Sequence, residues 1–286
     1  MATSTFLHPV FLIPVTIPEG ISQDQVLAFH PFDSWLVKLQ SSLALQQTNK
    51  KHPFHSNMHF LRSITIQSYD KFGPRIGFLK LTCDVSTTEK NGKKAEFLPG
   101  SVFLRGPSVA MLVILVPDDL DTEEEYANER YVLLTVQPRI AAGSLEFVEL
   151  PAGMVDEAGN FEGTAAREIK EELGLEIPAS ELICLSDLAL AGTEKEEIWR
   201  DEQLPKGVYM SPGACDEYIP IFMHERRVPR RQLGEWTGRL TGLRDEGEKI
   251  TLKLVRMQDL WREAARDAKA LSALALWEGL RREGKI

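Results

Sequence analysis

Residues 149–175 read ELPAGMVDEAGNFEGTAAREIKEELGL, and the second half of that stretch decides how the rest of the chain is organised. The pattern predicts a helix that opens near Gly163–Thr164 and closes at Gly174. Thr164 is the predicted N-cap; Arg167 rather than a Glu stands three places on, so a full capping box is missing. Glu168 lies three residues before Glu171 and four before Glu172, and helical geometry puts all three on one side. Like charges so placed repel, by roughly 0.2–0.5 kcal/mol per exposed pair and by more where buried. A hard divalent cation among them removes that cost. Mg²⁺ suits such a site, because it takes oxygen ligands and keeps room for water and phosphate oxygens; Mn²⁺ is the alternative ion. A bare REIKEE run is more often a solvated charged helix, so its context has to decide.

That context is Glu149-Leu-Pro-Ala-Gly153 before the run and Leu173-Gly174-Leu175 after it. Gly153, then Arg167-Glu168-Ile169, Glu171-Glu172, Gly174 and an aliphatic residue, resembles the Nudix box of nucleoside-diphosphate-X hydrolases. Gly153 and Arg167 stand at the family spacing. One position departs: Gly159 occupies the place of a Glu that mainly supports the loop, and Glu157 or Glu162 would have to substitute for it. Outside the box, QPRIAAGSLEFVELPAG (137–153) and SPGACDE (211–217) are similar to ADP-ribose and ADP-sugar pyrophosphatases. TGLRDEGEKITLKLV (241–255) and the tail from Met257 look most like the plant ADP-sugar diphosphatase branch.

The resemblance implies an α+β protein: a Nudix α/β/α sandwich, residues 106–286, behind an N-terminal antiparallel β domain, residues 1–105, that dimerises and contributes to substrate binding. It implies Mg²⁺-dependent attack of water on one phosphorus of an ADP-sugar diphosphate, giving AMP and a sugar phosphate. Glu168 and Glu172 are then the leading metal ligands, Glu171 the ligand of a second ion, and the Ala152 carbonyl a further ligand. Glu246 is the expected general base, with Asp245 as the fallback, and Glu248 reaches the metal; Gly247 between them lets the backbone turn. Arg139 is expected to grip the diphosphate through paired charged hydrogen bonds, the competing reading being a strand-end salt bridge. Arg105, Glu149 and Glu217 complete the expected substrate contacts. For Glu149 a rim carboxylate is an equal alternative, and Glu217 would contact a ribose hydroxyl or brace its loop.

Composition agrees with this frame. The chain has 286 residues, 43% of them hydrophobic and 26% charged, enough for one large or two modest domains. A net charge of −9 argues against a general nucleic-acid binder but not against a small anionic substrate held through a cation. Three cysteines, Cys83, Cys184 and Cys215, provide no disulfide framework and no zinc spacing. The apolar stretch Phe6–Ile17 is too short to span a bilayer, lacks a basic region ahead of it and is broken by Pro9 and Pro14, so a cytoplasmic protein is the expectation. No GxxxxGK[ST] sequence is present, which points to phosphate held through metal rather than through a lysine cradle.

Taken in order, the chain predicts extended segments over 1–20, a helix within Gln23–Gln47, and strands over Leu61–Tyr69, Ile76–Val85 and Phe97–Leu104. His52, His55 and His59 read as a solvated loop more readily than as a metal site. Arg105-Gly106-Pro107 is the expected boundary. Then come a buried strand over Val109–Val116, an acidic surface loop over Pro117–Asn128, strands over Tyr131–Val136 and Leu145–Leu150, and the box helix. Strands are expected over Leu182–Leu190, Tyr218–His224 and Lys249–Val255, with a long connection Glu225–Gly247 before the last. Two helices close the chain, the second with Leu271, Leu274 and Leu280 on one face. Two rivals accompany the ADP-sugar reading: a Nudix pyrophosphatase for another dinucleotide such as NADH or coenzyme A, and a nucleotide-sugar sensor of weak turnover.

Overall fold

The computed structural model describes residues 2–89, 94–155, 160–191, 202–242 and 249–286, and these fall into two compact units. The first comprises Met1–Pro107 with residues 202–205 and Ser211–Glu217. Its six-stranded sheet runs in the order Thr3–Leu7, Pro14–Pro18, His59–Phe72, Arg75–Thr87, Phe97–Leu98, with Ser101–Leu104 also paired to Arg75–Thr87. The pairings are antiparallel except one: Pro14–Pro18 runs parallel to His59–Phe72. A parallel neighbour needs a crossover, and the helices Gln23–Leu27 and His30–Thr48 supply it. Ser22 and Gln25 form a reciprocal capping box on the first of these. Phe32 and Leu36 of the second helix pack with Ile64, Ile66, Leu79 and Leu81 of the central hairpin to form the core. The expected strand Phe97–Leu104 is cut in two at Pro99-Gly100. There the chain lies so close to its neighbour that a Cβ on Gly100 would stand 2.1 Å from the Cys83 carbonyl oxygen.

The second unit comprises Ser108–Ala191, Lys206–Met210 and the described part of Tyr218–Ile286. It is built on SVAMLVILVP, Ser108–Pro117, every residue of which is buried. Alternation splits this one strand between two cores on opposite faces of the sheet. Ala110, Leu112, Ile114 and Val116 join Ala270, Ala273 and Leu280 of the C-terminal helix Ala268–Arg282. Val109, Met111, Val113 and Leu115 join Ala165, Ile169, Leu173 and Trp236 on the other face. Helices therefore cover both faces, which is the α/β/α arrangement. The sheet runs Ile183–Cys184, Ile221–Val228, Ser108–Pro117, Tyr131–Arg139, Ile250–Arg256, Leu240–Thr241, with Ala152–Met154 on the central strand and Ser144–Glu149 on its neighbour. Ile221–Val228 pairs parallel to the central strand and Tyr131–Arg139 antiparallel.

Several local expectations are corrected. The acidic loop contains a helix, Glu123–Asn128, started by a Thr122/Glu125 capping box. Leu182–Leu190 is strand only at Ile183–Cys184 and then turns into the helix Leu185–Leu190; a short apolar run cannot be told apart by periodicity alone. Strand 218–224 is interrupted at Pro220, which lacks the N–H a ladder needs, and continues as far as Val228. The long connection carries the helix Arg230–Trp236 and the short strand Leu240–Thr241. On the C-terminal helix the deeply buried positions are Ala270, Ala273 and Leu280, while Leu271 is exposed. The segment Ser211–Glu217, expected in the second domain, belongs to the first unit: Phe103 donates its N–H to the Ala214 carbonyl and accepts one from Asp216. Among the described residues no helix is long and apolar enough to cross a membrane.

Candidate active site

The box helix begins one turn earlier than its sequence suggests. It spans Phe161–Glu168, and Asn160 is the N-cap, its side-chain oxygen accepting from the Gly163 N–H at 2.9 Å. Thr164, the predicted cap, lies inside the helix and is buried. After Glu168 the hydrogen bonding widens into a π-turn over Ile169–Leu173, and Gly174, with φ of +67°, closes it as a left-handed C-cap. Glu171 and Glu172 thus ride on the widened turn rather than on a regular α-helical face.

Two contacts lay this helix against the strand Ala152–Met154. Glu172 is 2% exposed and its carboxylate accepts the Ala152 N–H at 3.2 Å. Glu168 fills the space beside Gly153 so closely that a Cβ there would meet its carboxyl carbon at 1.9 Å. Any side chain at 153 would therefore have to displace the Glu168 carboxylate. Arg167 lies 3.9 Å from Glu168 and Lys170 pairs with Glu176, so neither is directed away from the box as an isolated cation.

A second polar cluster abuts the same strand from the other end. Glu149, expected to meet substrate, is 3% exposed, and both its oxygens are engaged. Arg139 donates from Nε to one at 2.6 Å, and Lys269 donates from Nζ to the other at 2.8 Å. Lys269 also reaches Asp267 at 2.9 Å, and Asp267 accepts the Leu150 N–H at 2.9 Å while capping the C-terminal helix. Arg139 itself remains 42% exposed, so the strand-end ion pair and an outward guanidinium coexist. Burial pulls the Lys269 ammonium down, but Asp267 and Glu149 more than offset it, and its pKa is raised. Sequence reasoning missed Lys269 and Asp267. Asp before an amphipathic run signals a cap, but nothing in the chain announces a partner 120 residues away.

A profile of the NUDIX domain matches residues 113–274. Nudix hydrolase 14, chloroplastic, of Arabidopsis thaliana is 34% identical over 256 residues, covering 89% of this chain and 72% of that protein. This chain belongs to the Nudix hydrolase family. Among solved structures, one titled "Crystal structure of ADP compounds hydrolase" aligns over 80% of this chain and 97% of its own, at 18% identity and a TM-score of 0.48.

For a Nudix hydrolase the donor types at the box suit a hard divalent cation: the carboxylates of Glu168 and Glu172 lie against the strand Ala152–Met154, Glu171 stands beside Glu172 in sequence, and the Ala152 carbonyl is a further oxygen. Among the described residues, no three acidic, His or Cys side chains are gathered as a metal-holding group, so the expected trio does not converge by itself. Glu246, Glu248 and Asp245, with Gly159 and Glu157, lie outside the described residues. In the first unit, Arg105 and Glu217 pair with each other at 3.3 Å. Their neighbour Asp216 accepts from the backbone N–H of Arg105 and of Gly106, and burial pushes its carboxyl up against those hydrogen bonds. Cys215 has its thiol pushed up by burial, the opposite of an activated nucleophile. The expected solvated loop of histidines is corrected at His59, which is buried at the start of the strand His59–Phe72 with its backbone N–H held by the Gln46 side chain, while His52 Nδ1 accepts from the Phe54 N–H and His55 Nδ1 meets the Gln46 carbonyl.

Proposed function

We propose that this Nudix hydrolase cleaves the diphosphate of an ADP-sugar, ADP-ribose or ADP-glucose, to AMP and a sugar phosphate, with Mg²⁺ or Mn²⁺. The observation that carries the reading is the seating of the buried Glu172 and of Glu168 on Ala152-Gly153, which joins the carboxylate helix to the strand as the box requires. The choice of an ADP-sugar is supported by the segments outside the box, 137–153, 211–217 and 241–255. Fold alone would support no substrate.

Glu168, Glu171, Glu172 and the Ala152 carbonyl would hold the ion, joined by Glu248. A bound divalent cation supplies charge neutralisation for the diphosphate and a more acidic water. Arg139, oriented by Glu149, offers its outward guanidinium edge to the diphosphate. Glu246 takes the proton of the attacking water as the new P–O bond forms and the bridging P–O bond breaks. Arg105 and Glu217 are proposed as contacts to the remainder of the nucleotide sugar.

The test is turnover by purified protein of ADP-ribose, ADP-glucose, NADH and coenzyme A, with product identification, with Mg²⁺ and with chelator. AMP from an ADP-sugar, lost on chelation, is the expected result. Preference for NADH or coenzyme A would replace the substrate class, and no turnover of any would favour the sensor. Glu172→Gln should lower the rate by about a hundredfold or more; full activity of that variant refutes the box chemistry. Glu246→Gln should lower kcat by roughly 10²–10⁴-fold without altering metal dependence. Glu248→Gln should be partly rescued by added Mg²⁺.

A further inference from the structure

Lys269 stands in the first turn of the C-terminal helix, where the helix dipole favours anions, yet it is a cation and its side chain is only 12% exposed. Both circumstances disfavour a lysine there, and its neighbours compensate. Nζ donates to Glu149 at 2.8 Å and to Asp267 at 2.9 Å. Glu149 in turn holds Arg139 at 2.6 Å, and Asp267 holds the Leu150 N–H at 2.9 Å. Every link is within the second unit, and the chain of links ends one residue before Pro151-Ala152-Gly153. A buried carboxylate between two cations has a fixed direction; with one cation removed it keeps its desolvation cost and loses its second anchor.

We propose that Lys269 is a positioning residue for the diphosphate-binding side of the site. It fixes Glu149, through Glu149 the guanidinium of Arg139, and with Asp267 the strand end that leads to Ala152. The proposal rests on the reading of Arg139 as the group that grips the diphosphate. Lys269 touches no substrate in this scheme. A guanidinium that grips ground state and transition state alike acts on KM, whereas a merely structural lysine would change the folded fraction and so the apparent kcat.

The variants to compare are Lys269→Met, Lys269→Arg, Arg139→Met and the Arg139→Met/Lys269→Met double, assayed on the ADP-sugar turned over best. Lys269→Met should raise KM by about tenfold with kcat within about twofold, and Lys269→Arg should recover most of the loss. In the Arg139→Met background, Lys269→Met should add no more than about a twofold effect, since both act through one guanidinium. Unchanged KM in Lys269→Met, or equal losses in both backgrounds, overturns the proposal. Failure of the underlying reading looks different, because Arg139→Met would then keep the wild-type KM. Amide hydrogen exchange, measured without metal or substrate, gives a readout free of activity. The Leu150 amide should exchange about tenfold faster in Lys269→Met and unchanged in Arg139→Met. Wild-type exchange at Leu150 in Lys269→Met removes Lys269 from the strand anchor. Should Lys269→Met not fold, Lys269→Arg carries the test: it should hold KM within about threefold with slow Leu150 exchange, and a tenfold rise in KM with slow exchange would overturn the link to Arg139.

Discussion

At Gly153 a Cβ would stand 1.9 Å from the carboxyl carbon of Glu168, nearer than any side chain tolerates. Gly153→Ala must therefore push Glu168 away from the strand. A displacement of about 1 Å at a reacting centre costs roughly a hundredfold in rate, and kcat/KM of the alanine variant should fall by about that much. Wild-type kcat/KM would mean that Glu168 has no role where it sits. The Lys269 pKa gives a second expectation. Its folded-state value lies above the ordinary 10.5, so its contribution to stability is complete below that value and is lost as pH rises through the folded value. Thermal melts of wild type and Lys269→Met should differ by a constant amount from pH 7 to about pH 10 and converge above it; a gap that widens with alkali contradicts the assignment. The family and the contact of Gly153 with the box helix were legible in the sequence because the spacing of the box is local. The role of Glu149 was not, because the cation that takes its second oxygen arrives from the far end of the chain.

At the scale of the element, the box helix shows why helix ends are harder to read than helices. Gly163 looks like a break ahead of the helix, yet it sits at the third helical position. A Cβ there would come within 2.4 Å of the Asn160 amide, so the glycine makes room for the cap to fold over the first turn. Asn160→Ala should destabilise the protein by about 1 kcal/mol, read as a lower urea midpoint at unchanged slope, and Gly163→Ala should destabilise it too despite alanine's better helix propensity. A more stable Gly163→Ala would show that the cap tolerates the methyl. The π-turn over Ile169–Leu173 was equally hidden, since nothing in IKEEL departs from an α pattern. The strand misread over Leu182–Leu190 failed for the opposite reason, an apolar run too short for any period to declare itself.

For the whole molecule, the alternation of Ser108–Pro117 between two cores was written plainly as an uninterrupted apolar run, and the α/β/α layering follows from it. The parallel pair in the first sheet was not legible, since it depends on where the crossover helices set the chain down. That sheet has an edge strand at Thr3–Leu7, and Leu7, Val10, Leu12 and Phe97 of the same unit are each at least 60% exposed. Open edges and exposed apolar side chains mark surfaces that pair, and we propose a homodimer through residues 1–105. Sedimentation at micromolar concentration should give twice the 32.2 kDa chain mass; a monomer there would count against it, and Leu7→Lys with Val10→Lys should shift the equilibrium toward monomer.

The parallel partner of the central strand has a consequence for synthesis. Ser108–Pro117 emerges from the ribosome more than a hundred residues before Ile221–Val228, the strand that flanks it. At about 5–20 residues per second, its apolar edge waits on the order of ten seconds for that neighbour. The nascent chain therefore carries an adhesive segment for about a third of its translation, and its yield should depend on chaperone supply and growth temperature more steeply than the stability of the finished enzyme would suggest.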